Sequence, residues 1–245
     1  FADLDIFLLE GACDRAAKEG SLFRLGVHIA DVSHYIAWNS PLDAEAKKRT
    51  TSVYLPDRVL PMLPEELSNG ICSLAPGEER RAFSVDVYLT KGADVLGYDL
   101  YPSIIRSSER LDYAEAARII EGSPREGDRV GMQGILAAGA SLAAARARYR
   151  RSQGGLEFNT QEAKVILDAQ GYPVDVVART KTASTMLVEE AMILANEIVA
   201  GHLFDASWPC AYRVHENPAL DALSALIPIF QEFKWFTREM AYGLG

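Results

Sequence analysis

Cysteine is scarce in this chain. Three thiols, Cys13, Cys72 and Cys210, are spread over 245 residues with no Cys-x-x-Cys pair. An odd, widely spaced set excludes a disulfide framework and a zinc knuckle, and it fits a reducing, cytoplasmic setting. Long apolar runs are also missing. Charges interrupt every hydrophobic stretch well before 18 residues, so no membrane-spanning helix is expected. Positive charge is in deficit: 25 Lys and Arg stand against 34 Asp and Glu, a net charge of −9. Composition therefore supplies no basic footprint for nucleic acid, and any RNA-binding reading must come from a local channel. There is no internal repeat, low-complexity tract or secretory signal. The chain begins at Phe1 rather than at a Met, so it is expected to be a piece of a longer polypeptide.

What is present suits a globular protein: 49% of residues are hydrophobic and 24% charged, enough for a substantial core. Asp3 to Leu9 and the alternating stretch Leu22 to Ala30 predict two strands joined as a hairpin. Pro41 to Arg49 predicts a short exposed helix, with acids early and Lys47, Lys48 and Arg49 late. Three prolines, Pro56, Pro61 and Pro64, then enforce a stiff extended loop, followed by at most one helical turn from Glu65 to Asn69. Phe83 to Leu89 and Val95 to Ser107 predict two more strands, Tyr113 to Ile120 and Arg129 to Arg151 two helices, and Ala163 to Asp168 with Val174 to Val177 a further strand pair. The strongest helical pattern is Thr182 to Phe204, where Leu187, Val188, Ala191, Leu194, Ala195 and Ile198 should face the core. A short strand at Ala211 to Val214 and a helix running through Phe233 complete the pattern. Strands first and helices later predict an α+β domain with a mixed, mainly antiparallel sheet, taken as one unit over 1–245.

Several side chains carry possible chemistry. Asp3 and Asp5 are two apart on a strand, so they share a face one pleat apart. Like charges that close need hydration or a cation, and Mg²⁺ takes hard carboxylate oxygens of this kind. Tyr54, on the proline-stiffened loop, either packs on the sheet or stands out as a binding residue. Arg146, Arg148, Arg150 and Arg151 complement a helix C-terminus, as a solvated face or as phosphate contacts. Glu190 borders the apolar stripe of its helix and needs a partner, whereas Glu189 lies further round, toward solvent. His28 and His34 have no Ser or Cys arrangement that would make them catalytic bases.

Asp3–Asp5, Val27–Tyr35, Thr51–Pro56 with Leu60–Pro64, Leu67–Leu74, Arg110–Tyr113, Val188–Asn196 and Tyr212–Glu216 occur in an order that resembles the catalytic domain of the ribonuclease II and ribonuclease R exoribonucleases. The run from Ser52 to Leu74, followed by Glu189-Glu190-Ala191-Met192, is the most specific part. The resemblance implies a ribonuclease II-like fold that acts as a monomer. It implies processive 3′-to-5′ hydrolysis of single-stranded RNA to nucleoside 5′-monophosphates, with Mg²⁺ as cofactor. It makes Asp3 and Asp5 metal-binding catalytic residues. It also implies that Tyr54 stacks on the terminal base with Phe158 across from it, that Tyr113 stands near the cleavage site, and that Glu190 contacts the terminal nucleotides through ribose hydroxyls.

The chain departs from that pattern in three ways. Ile6 stands where the family has a second adjacent aspartate. The resemblance further implies a metal aspartate that would be expected upstream of Phe1 and an arginine-rich motif that would be expected beyond Gly245. The 245-residue chain alone is accordingly expected to be weakly active or inactive, with activity residing in a longer parent. Ile6 favours an alternative, a homologue that binds RNA without degrading it. A protein-interaction scaffold is the third reading, and it leaves Tyr54, Phe158 and Glu190 unexplained.

Overall fold

The computed structural model describes residues 2–9, 22–155, 162–179, 181–212, 214 and 219–232. By its internal contacts the chain divides into Phe1–Val199 and Ala200–Gly245, and each unit is described by itself.

The strands of the first unit are β1 (Ala2–Leu9), β2 (Leu22–Ala30), the short pair β3 (Val53–Tyr54) and β4 (Val59–Leu60), β5 (Glu79–Leu89), β6 (Val95–Arg106), β7 (Glu162–Leu167) and β8 (Pro173–Arg179). Its helices are α1 (Pro41–Arg49), α2 (Tyr113–Ile120), α3 (Gln133–Ser152) and the greater part of α4 (Ala183–Asp205). The central sheet has the order β1-β2-β5-β6 and is antiparallel throughout; β3-β4 and β7-β8 are separate hairpins. The architecture is the α+β arrangement that the sequence predicts.

Strand alternation divides the central sheet into two rows. Phe23, Leu25 and Val27 on β2, with Val85, Val87 and Leu89 on β5, form the apolar row. They pack against Leu142, Ala143 and Ala145 of α3 and Leu187, Ala191, Leu194, Ala195 and Ile198 of α4. Burying one such large aliphatic side chain contributes about 1.5–3 kcal/mol, so this interface holds the unit together. The opposite row carries Arg24, His28, Ser84, Asp86 and Tyr101, and it is polar.

The helix ends follow local rules. Ser40 caps α1 by accepting from the Asp43 N–H at 3.2 Å, Pro41 opens the helix, and Lys47–Asp43 and Arg49–Glu45 pair one turn apart. Helix α3 begins at Gln133 rather than Arg129, because Val130–Met132 form a separate tight turn around Gly131. Strand β5 begins four residues before Phe83; its charged start, Glu79-Arg80-Arg81, pairs with Ile104–Arg106 and hides the alternation. Glu66–Ile71 form a short wide helical turn that breaks at Gly70, whose φ of −97° and ψ of −109° are not helical. The described cysteines are free thiols, and burial pushes the Cys72 thiol up from its ordinary value.

The second unit contains the end of α4, closed by the Trp208 N–H on the Leu203 carbonyl at 2.9 Å, and α5 (Leu220–Glu232), which contains Pro228. The strand predicted at Ala211 to Val214 is not formed at the described residues 211, 212 and 214. No helix among the described residues is long and apolar enough to cross a membrane.

Helix α2 is tied to the turn that follows it by charge. The Arg118 guanidinium donates to both Asp128 oxygens, at 2.9 and 2.6 Å, and the Arg125 N–H adds a third bond at 2.8 Å. These contacts hold the Asp128 carboxyl down to about 2. A carboxylate depressed in the folded state stabilises it above the unfolded pKa and loses that contribution as pH falls through the folded value. Acidification from about pH 4 toward pH 2 is therefore expected to loosen the α2 turn, followed by amide exchange at residues 118–129. In Asp128→Asn this acid-dependent step should be absent.

Candidate functional site

Asp3 and Asp5 lie on β1, the edge strand of the central sheet. Asp3 is in register with His28, and Asp5 with Gly26. The same registers continue to Ser84 and Tyr101, and to Asp86 and Asp99. Both positions thus belong to the polar row. That row is a bonded network. Asp86 Oδ2 accepts from Arg24 Nη2 at 2.5 Å and from the Tyr101 hydroxyl at 2.8 Å. Ser103 Oγ donates to the Ala82 carbonyl and so accepts from Ser84, which leaves Ser84 Oγ to accept from His28 Nδ1–H at 2.6 Å. His28 is buried in this chain of bonds, a structural placement.

Asp3 and Asp5, two apart on an edge strand, are residues whose carboxylate oxygens are hard donors of the kind Mg²⁺ takes. In the register of Asp5, Asp86 keeps one buried oxygen, Oδ1, without a hydrogen-bond partner among the described residues. This donor set fits a Mg²⁺ that completes its shell with water and substrate phosphate. Among the described residues no group of three or more His, Cys, Asp or Glu side chains gathers as a metal site. Ile6 is in register with Leu25, so its position belongs to the apolar row.

Tyr54 does not pack on the sheet: it is 75% exposed at the tip of the β3–β4 hairpin. The hairpin is braced from outside. Arg49 Nη1 donates to the Pro61 carbonyl at 2.9 Å, and the Met62 N–H to Ser52 Oγ at 2.9 Å. Val53, Leu55, Val59 and Leu60 beside Tyr54 are exposed as well. A ring held outward on a rigid hairpin can stack on a flat partner at little entropic cost. Phe158 lies outside the described residues.

Tyr113 and Glu190 both stand along α4, at different levels. Ser184 Oγ donates to the Tyr113 carbonyl at 2.7 Å, and Glu190 follows six residues later, about 9 Å along the helix. Tyr113 opens α2 and is half-exposed. Glu190 is 2% exposed. Its partner is Arg150: Nε donates to the two carboxylate oxygens at 3.2 and 3.1 Å, and Nη2 to Oε1 at 2.6 Å. Glu190 raises the Arg150 pKa and keeps the guanidinium charged. Helix α3 ends beside this pair, with Gly155 N–H on the Arg150 carbonyl at 2.9 Å; a Cβ at Gly155 would stand 2.8 Å from that oxygen.

The arginines at the end of α3 divide between the two sequence readings. Arg148 and Arg151 are exposed. Arg146, almost wholly buried, pairs with Glu197 at 2.6 Å and places its guanidinium 5.1 Å from the Tyr149 ring. Arg146 and Glu190 also line a void with room for about one water molecule, walled by Leu25, Leu142 and Leu194. Lys181 pairs with Glu189 at 2.8 Å on the surface. Sequence reasoning names Arg150 within the basic cluster but misses its pairing with Glu190, forty residues away.

Residues 9–240 match the RNB domain family. Ribonuclease R of Thermotoga maritima is 44% identical over 197 residues, covering 80% of this chain and 28% of that protein. Ribonuclease R 1 of Lactococcus lactis is 38% identical over 231 residues, 92% of this chain and 28% of that protein. The chain thus spans less than a third of the length of these relatives. The fold matches Mycoplasma genitalium RNase R in complex with ribose methylated single-stranded RNA, with a TM-score of 0.83 at 29% identity over 94% of this chain and 34% of that one.

Proposed function

The chain belongs to the RNB domain family, and from that premise we propose that it is the catalytic domain of a 3′-to-5′ exoribonuclease. It shortens single-stranded RNA processively to nucleoside 5′-monophosphates, as a monomer in the cytoplasm and with Mg²⁺. The observation that carries this reading is the family match over residues 9–240. Tyr54, projecting from a braced hairpin, supplies the local feature that such a substrate requires.

Asp3 and Asp5 would hold the metal. When bound, Mg²⁺ polarises a scissile phosphate and lowers the pKa of an attacking water. The chain's other residues bind and orient. Tyr54 stacks on the terminal base, with Phe158 as the ring across from it. Stacking tolerates any base, because every base has a π face, and this suits an enzyme that must pass along any sequence. Tyr113 stands near the cleavage position. The resemblance puts Glu190 on the ribose side of the terminal nucleotides, where the 2′-hydroxyl separates RNA from DNA; here both its oxygens are taken by Arg150.

A 5′-labelled single-stranded RNA incubated with and without Mg²⁺ tests the proposal. A ladder of 3′-shortened products with Mg²⁺ alone supports it, and intact RNA under both conditions rejects it. The apolar register of Ile6 favours a second reading, an RNA-binding homologue without hydrolysis. Retention of intact RNA by a protein that takes up no Mg²⁺ would establish that reading instead.

Tyr54→Ala should weaken RNA binding in EDTA by about 1–3 kcal/mol, the usual worth of one base stack. The melting temperature should stay unchanged, since the ring contributes little to the core. Fluorescence anisotropy and thermal denaturation check the two halves.

A further inference from the structure

At the place where the resemblance puts Glu190 beside the RNA, the outward-facing group is a different one. Both Glu190 oxygens accept from Arg150, and the carboxylate is 2% exposed. The Arg150 side chain is 33% exposed. A guanidinium has two usable edges. The edge formed by Nε and Nη2 is closed on Glu190, while Nη1 has no hydrogen-bond partner among the described residues. We infer that Arg150 donates this open edge to an RNA phosphate, and that Glu190 is the positioning residue that holds it there.

Three observations support the assignment. The pairing fixes the long arginine side chain before any ligand arrives, so little rotamer freedom remains to be lost on contact. The exposed cations Arg148 and Arg151 lie on the same last turns of α3 and draw a polyanion toward a chain that is acidic overall. Tyr113 is anchored through Ser184 to the start of α4, about 9 Å along the helix from Glu190, so an aromatic for a base and a guanidinium for a phosphate are tied to one helix. The inference rests on the RNA reading proposed above. It assigns Arg150 a contact with the sugar–phosphate backbone, which is independent of sequence.

The test is the salt dependence of binding of a 5′-labelled single-stranded RNA, in EDTA, to the full 245-residue chain and three variants. Failure of the unsubstituted chain to bind RNA overturns the RNA reading itself. If it binds, Arg150→Met/Glu190→Leu should lower the slope of log K against log salt by about 0.7, the value of one single-strand phosphate contact. The double change leaves no unpaired buried charge, so the protein should stay folded, which circular dichroism checks. Arg150→Lys, which keeps a point charge, should retain the slope. Glu190→Gln should retain most of the slope but weaken binding several-fold, because the guanidinium loses its fixed orientation. An unchanged slope in the folded double variant would overturn the assignment of Arg150 while leaving the RNA reading intact.

Discussion

Asp5→Asn is expected to lose Mg²⁺ binding and, with it, Mg²⁺-dependent shortening of single-stranded RNA. The donor pair is small, Asp3 and Asp5 on one strand, and Ile6 adds no third oxygen. Replacing one of two carboxylates removes half of the protein's charge toward the cation. Loss of an outer-shell partner alone typically costs 10–100-fold in affinity or activity, so loss of a direct ligand should cost at least about a hundredfold. Asparagine has the shape of aspartate and can still pair in the strand, so the melting temperature should be retained. Isothermal titration with Mg²⁺ reads the first effect and a labelled RNA the second. Unchanged Mg²⁺ affinity in Asp5→Asn would remove this residue from the site. The companion Ile6→Asp separates two ideas about position 6. In register with Leu25 the new carboxylate would enter the apolar row, and the protein should lose stability rather than gain metal affinity.

Arg150→Met carries the largest expected effect on stability. It leaves Glu190, 2% exposed, without its only described partner. Removing one side of a buried ion pair costs about 3–5 kcal/mol, because a charge remains in a poorly solvated place. The reverse change, Glu190→Leu, should cost less: the Arg150 side chain is a third exposed and can turn toward water. The sign of the pH dependence distinguishes the two variants. In Arg150→Met a buried, unpaired carboxyl has a raised pKa, so the folded state is penalised at neutral pH and recovers as pH falls. Glu190→Leu should show no such recovery. Urea denaturation at pH 5 and pH 8 makes the comparison, and equal costs for the two single variants would contradict the burial argument.

The central elements were legible because each announces its period. Leu187, Ala191, Leu194 and Ile198 recur at helical spacing and face the core as predicted. The alternation of Leu22 to Ala30 is the two-row division of β2. Boundaries were misread where charge or glycine masks the pattern, as at Glu79-Arg80-Arg81 and at Gly131. The strand predicted at Ala211 to Val214 is not formed at the described positions, since four residues interrupted by Arg213 are too short a run to fix a strand. Tyr54 was open between packing and projection, and only its 75% exposure on the β3–β4 hairpin decided for projection.

The sequence by itself determined the α+β class, the family resemblance, the pairing of Asp3 with Asp5 on one strand face and the need of Glu190 for a partner. Each follows from local spacing or residue type, which a linear chain records directly. The tertiary structure decided that the partner is Arg150, forty residues away, that His28 is committed to Ser84, and that Ile6 falls in the apolar row. Those are contacts between segments distant in sequence. They depend on sheet register and on the packing of α3 against α4, which are settled only when the apolar rows are buried together.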